Sequence, residues 1–104
     1  MAFNKLTDAQ AERLYILSEE LGEAQQAIGK ILRHGYESGW NGSNNRRDLE
    51  KELGHVYYAI ALLRGSGDID NWKVLENAAY KSQSIKPFLH NQDESLVKSL
   101  SCST

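Results

Sequence analysis

Two stretches of the chain carry apolar residues at alternating steps of three and four positions. An α-helix turns by about 100° per residue, so positions three or four apart share one face. Each stretch therefore predicts an amphipathic helix with one apolar seam, as is typical of a helix in a bundle. The first seam comprises Leu14, Leu17, Leu21, Ala24, Ile28 and Ile31, and the second comprises Leu49, Leu53, Val56, Ile60 and Leu63.

Capping and breaking residues predict where the helices begin and end. Thr7 and Gln10 have the spacing of a capping box, so the first helix should begin at Thr7 or Asp8. Positively charged and glycine residues should end it after about Arg33. Pro87, the only proline, should stop or kink the third helix. The second helix should run from Asn45 to about Arg64 and be followed by a turn over 65–67. The third helix should begin at Asp68 or Asp70. A short fourth helix should span 94 to 100.

These elements predict an all-α fold in which three main helices and a short C-terminal helix form a bundle. The 104 residues suit a single domain, with a core over about 7–92 and a tail over about 93–104. A bundle this small buries a limited core, so we expect it to be completed by oligomerisation. Gly22 and Gly54 interrupt the two seam helices, which favours close approach of another helix at those points.

Charge and cysteine content limit the partners and the compartment. A formal net charge of −2 argues against a general nucleic-acid binder, which usually carries a basic face. The chain lacks an apolar run long enough to span a bilayer and lacks a signal-peptide pattern, so we expect no membrane association. The single cysteine, Cys102, cannot form an internal disulfide. We therefore expect a cytoplasmic protein.

One pair of polar residues recurs beside each seam. Glu20 and Glu23 precede Glu52 and His55 by a constant offset of 32 residues, and both pairs lie at the same angle to their seams. If the helices pack together, the four side chains can converge on a divalent cation. Carboxylates suit Mg²⁺ or Mn²⁺, whereas the imidazole suits Mn²⁺, Zn²⁺ or Fe better than Mg²⁺. The alternative is that the acids belong to solvated helix faces and that His55 is an ordinary hydrogen-bonded residue.

Several cations and one aromatic residue are candidates for contact with an anionic, phosphate-bearing substrate. The alternative for the cations near helix C-termini is a favourable interaction with the helix dipole. Trp40, in a polar loop, could stack on a base or pack on a neighbouring subunit. The candidate substrate-binding residues are Lys30, Arg33, His34, Trp40, Arg46, Lys81 and Lys86.

The order of these motifs resembles a known family. Glu19-Glu20-x-x-Glu23, then a loop, then Glu52-Leu53-Gly54-His55-Val56, is similar to the EExxE…ExxD signature of MazG-like nucleotide pyrophosphohydrolases, the all-alpha NTP pyrophosphatases. The segments 30–35 and 86–92 resemble the short single-domain members common in phages and bacteria. The resemblance covers about residues 14 to 92. His55 departs from it, because the family pattern has Asp at that position.

The resemblance implies Mg²⁺-dependent hydrolysis of an NTP or dNTP to its monophosphate and pyrophosphate. By the same resemblance Glu20, Glu23 and Glu52 would be the metal-binding catalytic residues, and Lys81 or Lys86 would contact phosphate. The protein would form a homodimer or homotetramer. Two other functions stay open, namely a catalytically silent relative that binds nucleotides or a protein partner, and a structural helical oligomer.

Overall fold

The computed structural model describes residues 3–40 and 42–101, and every regular element within these ranges is helical. The predicted all-α class is therefore confirmed. Cys102 lies outside the described residues. The elements are α1 (Asp8–His34), α2 (Asn45–Ser66), α3 (Asn71–Ser84), a 3₁₀ turn (Lys86–Phe88) and α4 (Glu94–Leu100).

Side-chain caps begin α1 and α2. Thr7 Oγ1 accepts a hydrogen bond from the Gln10 backbone N–H at 3.1 Å, and Gln10 Oε1 accepts one from the Thr7 backbone N–H at 2.9 Å. This reciprocal pair is the predicted capping box. The α2 helix is capped by Asn44, whose Oδ1 accepts from the Arg47 backbone N–H at 2.9 Å. Both helix starts therefore depend on hydrogen bonds between residues three positions apart in the chain.

The end of α2 differs slightly from the prediction. A turn was expected over 65–67, but Gly65 and Ser66 remain helical. Ser66 Oγ donates a hydrogen bond to the Leu63 carbonyl at 3.0 Å, within the last turn of the helix. The helix ends at Gly67, which adopts the left-handed conformation with φ of 84° that glycine accommodates without steric cost.

The chain divides into two compact units, Met1–Asp68 and Ile69–Thr104, and the expectation of a single domain stays a prediction. In the first unit, α1 and α2 form an antiparallel hairpin. At one end the Asn45 amide donates to the Gly35 carbonyl at 3.0 Å. At the other end Arg13 contacts Asp68. Residue numbers therefore rise along α1 as they fall along α2, which places the middle of one helix opposite the middle of the other.

Small residues are among the most buried side chains between α1 and α2. Ala27 and Ala59 lie between the two helices, and Ala27 also lines the pocket beside Glu23 and Glu52. Their side chains are 6% and 0% exposed, because the hairpin packs directly through them. Small side chains let two helix backbones approach closely, so this stripe becomes the core. The buried apolar residues of the hairpin are Ala24, Ala27, Val56, Ala59 and Leu63.

Four of the larger seam residues are exposed. The two seams therefore do not pack fully against each other as expected, since only their inner edges are buried. In two antiparallel helices, residues that lie at the same angle from their seams point to the same side of the pair. The outer edges of both seams thus share one side of the hairpin, and Glu23 and His55 share the other. The exposed seam residues are Leu14 (42%), Leu21 (51%), Ile28 (45%) and Leu53 (42%).

The second unit contains α3, the 3₁₀ turn and α4. Asp70 caps α3 by accepting from the Trp72 backbone N–H at 2.9 Å, in keeping with the predicted start. Pro87 lies in the 3₁₀ turn after α3, so the helix ends where proline was expected to stop it. Asp93 caps α4, whose predicted bounds are confirmed. None of the helices in the described ranges combines the length and the apolar character needed to cross a membrane.

A bidentate ion pair joins the beginning of α1 to the residue that follows α2. Arg13 Nε lies 2.6 Å from Asp68 Oδ2, and Arg13 Nη2 lies 3.1 Å from Asp68 Oδ1. The Arg13 guanidinium lowers the pKa of Asp68 below its ordinary value of 3.8. A carboxylate with a lowered pKa stabilises the folded state above its unfolded pKa, and this stabilisation is lost as pH falls through the lowered value.

We expect Asp68→Asn to destabilise the hairpin at pH 7 and to have little effect once the pH is well below 3.8. The coupling between the two side chains can be measured by a double-mutant cycle. It compares the thermal unfolding of wild type, Arg13→Gln, Asp68→Asn and the double variant at pH 7 and at the low pH. A coupling that is unchanged at low pH would contradict the assignment to the ion pair.

Candidate metal centre

The hairpin brings four potential metal ligands to one place. Glu20 and Glu23 on α1 face Glu52 and His55 on α2 because the helices run antiparallel. Each residue offers one ligand atom, and these atoms all lie within 4.8 Å of one another. The four residues that the sequence placed in one frame therefore converge, and together they can hold a metal ion.

Two carboxylate oxygens of the cluster are buried without a hydrogen bond. His55 Nδ1 lies 3.3 Å from Glu20 Oε2 and 3.6 Å from Glu52 Oε2. Neither oxygen accepts a hydrogen bond, although both are shielded from solvent. A buried carboxylate oxygen without a partner is costly, and a cation is the partner that would compensate it. The residues present therefore fit a metal ion.

The charge balance of the cluster supports the same conclusion. The pKa of Glu23 is raised above its ordinary value, first because its carboxyl shares a hydrogen bond with Glu52 and next because Glu20 and Glu52 repel its charge. The ammonium group of Lys51 also lies close to the cluster, with Nζ 3.5 Å from Glu52 Oε1. A divalent cation would relieve the repulsion between these carboxylates.

A polar pocket of about 320 Å³ lies next to the cluster, between the end of α1 and the loop before α2. Four of the predicted substrate-binding residues line it, namely Lys30, Arg33, His34 and Trp40. A second pocket, of about 330 Å³, is lined by Glu23 and Glu52 and shares Lys30 and Asp48 with the first. Through this shared lining, these candidate contacts lie near the four clustered residues.

The other three predicted contacts are placed differently. Arg46 is engaged within the hairpin: its Nε donates to Glu37 Oε1 at 2.8 Å and its guanidinium stacks 4.4 Å from the Tyr36 ring centroid. It holds the loop to α2 and does not line the pocket. Lys81 and Lys86 belong to the second unit, where Lys86 Nζ donates to Gln83 Oε1 at 2.9 Å. Their contact with phosphate stays a prediction.

Three further residues lie near the site. Asn45 is 8% exposed, and its amide ties the start of α2 to the end of α1. Lys51 lies beside Glu52, and adjacency in the chain was the only signal for it. Asp48 lines both pockets, one turn before Glu52 on the same face of α2. In the sequence this spacing allows Asp48 as a further ligand, although a helix-start role is the favoured interpretation.

Comparisons with protein-family models, with curated proteins and with solved structures each found no match for this chain.

Proposed function

We propose that this protein is a divalent-metal-dependent nucleoside triphosphate pyrophosphohydrolase that converts an NTP or dNTP to its monophosphate and pyrophosphate. The observation that carries the proposal is the convergence of Glu20, Glu23, Glu52 and His55 around two buried carboxylate oxygens that accept no hydrogen bond. The resemblance of the same residues to the EExxE…ExxD signature supplies the reaction. We propose Mg²⁺ as the metal, with Mn²⁺ as the alternative.

Each part of the proposed site has a distinct task. When bound, the cation would neutralise the triphosphate and make a water molecule easier to deprotonate. Glu20, Glu23 and Glu52 would hold it with oxygen ligands, and His55 would add one nitrogen. Lys30 borders both pockets, so its ammonium can contact the phosphate chain and stabilise charge that develops during cleavage.

One observation favours a second candidate, a catalytically silent relative that binds nucleotides. A protonated His55 would place a cation 3.3 Å from Glu20 Oε2 and 3.6 Å from Glu52 Oε2, and would partly neutralise the acids without a metal. Such a protein would keep the pocket lined by Lys30, Arg33 and His34 and would lose turnover.

A pyrophosphate-release assay across ribo- and deoxyribonucleoside triphosphates, with Mg²⁺ and Mn²⁺ in parallel, separates the candidates. Metal-dependent release of pyrophosphate with the matching monophosphate supports the hydrolase. Nucleotide binding without turnover supports the silent relative. If neither occurs, the proposal fails and a structural helical oligomer is the remaining candidate.

We further propose that the protein is a homodimer or homotetramer. The apolar side of the hairpin leaves Leu21 half exposed, and the space beside the helix-interior residues Gly22 and Gly54 is open to another helix. Association that covers this side would bury apolar surface at about 25 cal/mol per Å². Light scattering at micromolar concentration should give a dimeric or tetrameric mass, and a monomeric mass would contradict the proposal.

A further inference from the structure

Three basic side chains meet in the 320 Å³ pocket at the end of α1. Lys30, Arg33 and His34 contribute to its walls, and none of them forms an ion pair within the part of the chain that the structure describes. The rest of the lining is polar or aromatic, apart from one carboxylate on Asp48. We refer to this site as the cationic pocket.

Other basic residues of the hairpin contrast with these three. Arg13 is paired with Asp68, and Lys51 lies against Glu52. Arg46 is paired with Glu37, and Arg47 Nη1 donates to the Gly42 carbonyl at 2.7 Å. These contacts fix the fold and the loop, whereas the charges of the cationic pocket are available to a ligand.

The position of the cationic pocket relates it to the metal ligands. It shares Lys30 and Asp48 with the pocket that Glu23 and Glu52 line. A chain of phosphates held at the acid cluster can therefore continue into the cationic pocket past Lys30. Its volume of about 320 Å³ is at the lower end for ligand sites, which favours a small anion over a whole nucleotide.

We infer that the cationic pocket binds the β- and γ-phosphates of the substrate, the part that leaves as pyrophosphate, and does not bind the base. This inference rests on the proposed function. Arginine and lysine are the side chains that best recognise phosphate oxygens. Asp48, the carboxylate in this lining, is shared with the pocket of the acid cluster, and its Oδ1 accepts a hydrogen bond from Ser43 Oγ at 3.3 Å.

Binding of inorganic pyrophosphate to the full-length protein tests this inference without turnover. Calorimetry gives the affinity with and without Mn²⁺. The chain has two tryptophans, Trp40 and Trp72. In a Trp72→Phe background the tryptophan fluorescence comes from Trp40 alone, so it reports whether the anion binds near Trp40. Trp40 lines the cationic pocket and is 85% exposed.

Arg33→Gln is compared with Arg64→Gln, its matched control. Both arginines lie in the last turn of their helices, so both substitutions remove the same charge from a helix C-terminus. We expect Arg33→Gln and Lys30→Gln each to weaken pyrophosphate binding about tenfold, the effect of losing one charge-assisted contact. Arg64→Gln should bind as wild type does.

The outcomes separate this inference from the proposed function. Affinities in Arg33→Gln and Lys30→Gln that equal the Arg64→Gln value would overturn the inference, even if triphosphates are hydrolysed. Pyrophosphate binding that leaves Trp40 fluorescence unchanged, or that is absent altogether, would overturn it as well. Arginine-dependent pyrophosphate binding in a protein that hydrolyses no triphosphate would uphold the cationic pocket and refute the proposed hydrolase.

Discussion

Replacing Glu52 with Gln is expected to abolish metal-dependent turnover while leaving the metal-free protein at least as stable as wild type. The Glu52 side chain is 12% exposed, and its Oε2 has no hydrogen bond. Its charge also contributes to the raised pKa of Glu23, which shows that the carboxylates repel one another. Glutamine keeps the shape of the side chain and removes both the ligand charge and the repulsion.

The same reasoning applies to Glu20→Gln, because Glu20 Oε2 is the other buried oxygen without a hydrogen bond. Turnover should fall by at least roughly 100-fold in both variants, since loss of even the outer partners of a metal site costs about 10–100-fold. Thermal unfolding with and without Mn²⁺ supplies the second measurement. Wild type should gain stability from the metal, and the variants should gain little.

Glu50→Gln is the matched control for Glu52→Gln. Glu50 also lies on α2, but it is exposed and is not among the four clustered residues. Glu50→Gln therefore changes the net charge as much as Glu52→Gln does and leaves the cluster intact. It should retain turnover and the stabilisation by Mn²⁺. If Glu20→Gln and Glu52→Gln both turn over substrate as the control does, the active site lies elsewhere.

His55→Asp is expected to shift the metal preference toward Mg²⁺ and to raise Mg²⁺-dependent turnover. A neutral imidazole offers one nitrogen to a cation and cannot bridge two cations, whereas a carboxylate can do so. Hard cations such as Mg²⁺ prefer oxygen ligands, and Mn²⁺ tolerates imidazole better. We therefore expect Mn²⁺ to support the wild-type protein at least as well as Mg²⁺.

Metal titrations of wild type and His55→Asp, with turnover measured at each point, provide the test. His55→Ala is a useful third protein, because it removes the nitrogen ligand without adding an oxygen. It should lose affinity for both metals. If His55→Asp changes neither the metal preference nor the rate, then His55 is not a ligand and the interpretation of the second motif is wrong.

Local features of the fold could be predicted from the sequence because they depend on neighbouring residues. The capping box at Thr7 and the caps of the later helices rest on hydrogen bonds within three residues. The convergence of Glu20 with His55 and of Glu23 with Glu52 was also predictable. Pairs at equal angles on two antiparallel helices face each other when those helices pack.

Packing between helices was harder to predict. The large residues of the seams suggested the contact surface, yet Ala27 and Ala59, which lie outside both seams, are among the most buried residues of the hairpin. Periodicity gives the angle of each residue about its own axis, but it does not show which part of an apolar arc meets its neighbour. The engagement of Arg46 with Tyr36 depends on the loop conformation, which spacing does not determine.

Binding of Mn²⁺ followed by electron paramagnetic resonance tests most directly the claim that the four clustered residues are a divalent-metal site. The signal of free Mn²⁺ disappears when the ion is bound by protein ligands. Titration of the wild-type protein should show saturable binding, and Glu52→Gln should show little under the same conditions. Equal binding by wild type and Glu52→Gln, or no binding by wild type, would contradict the account.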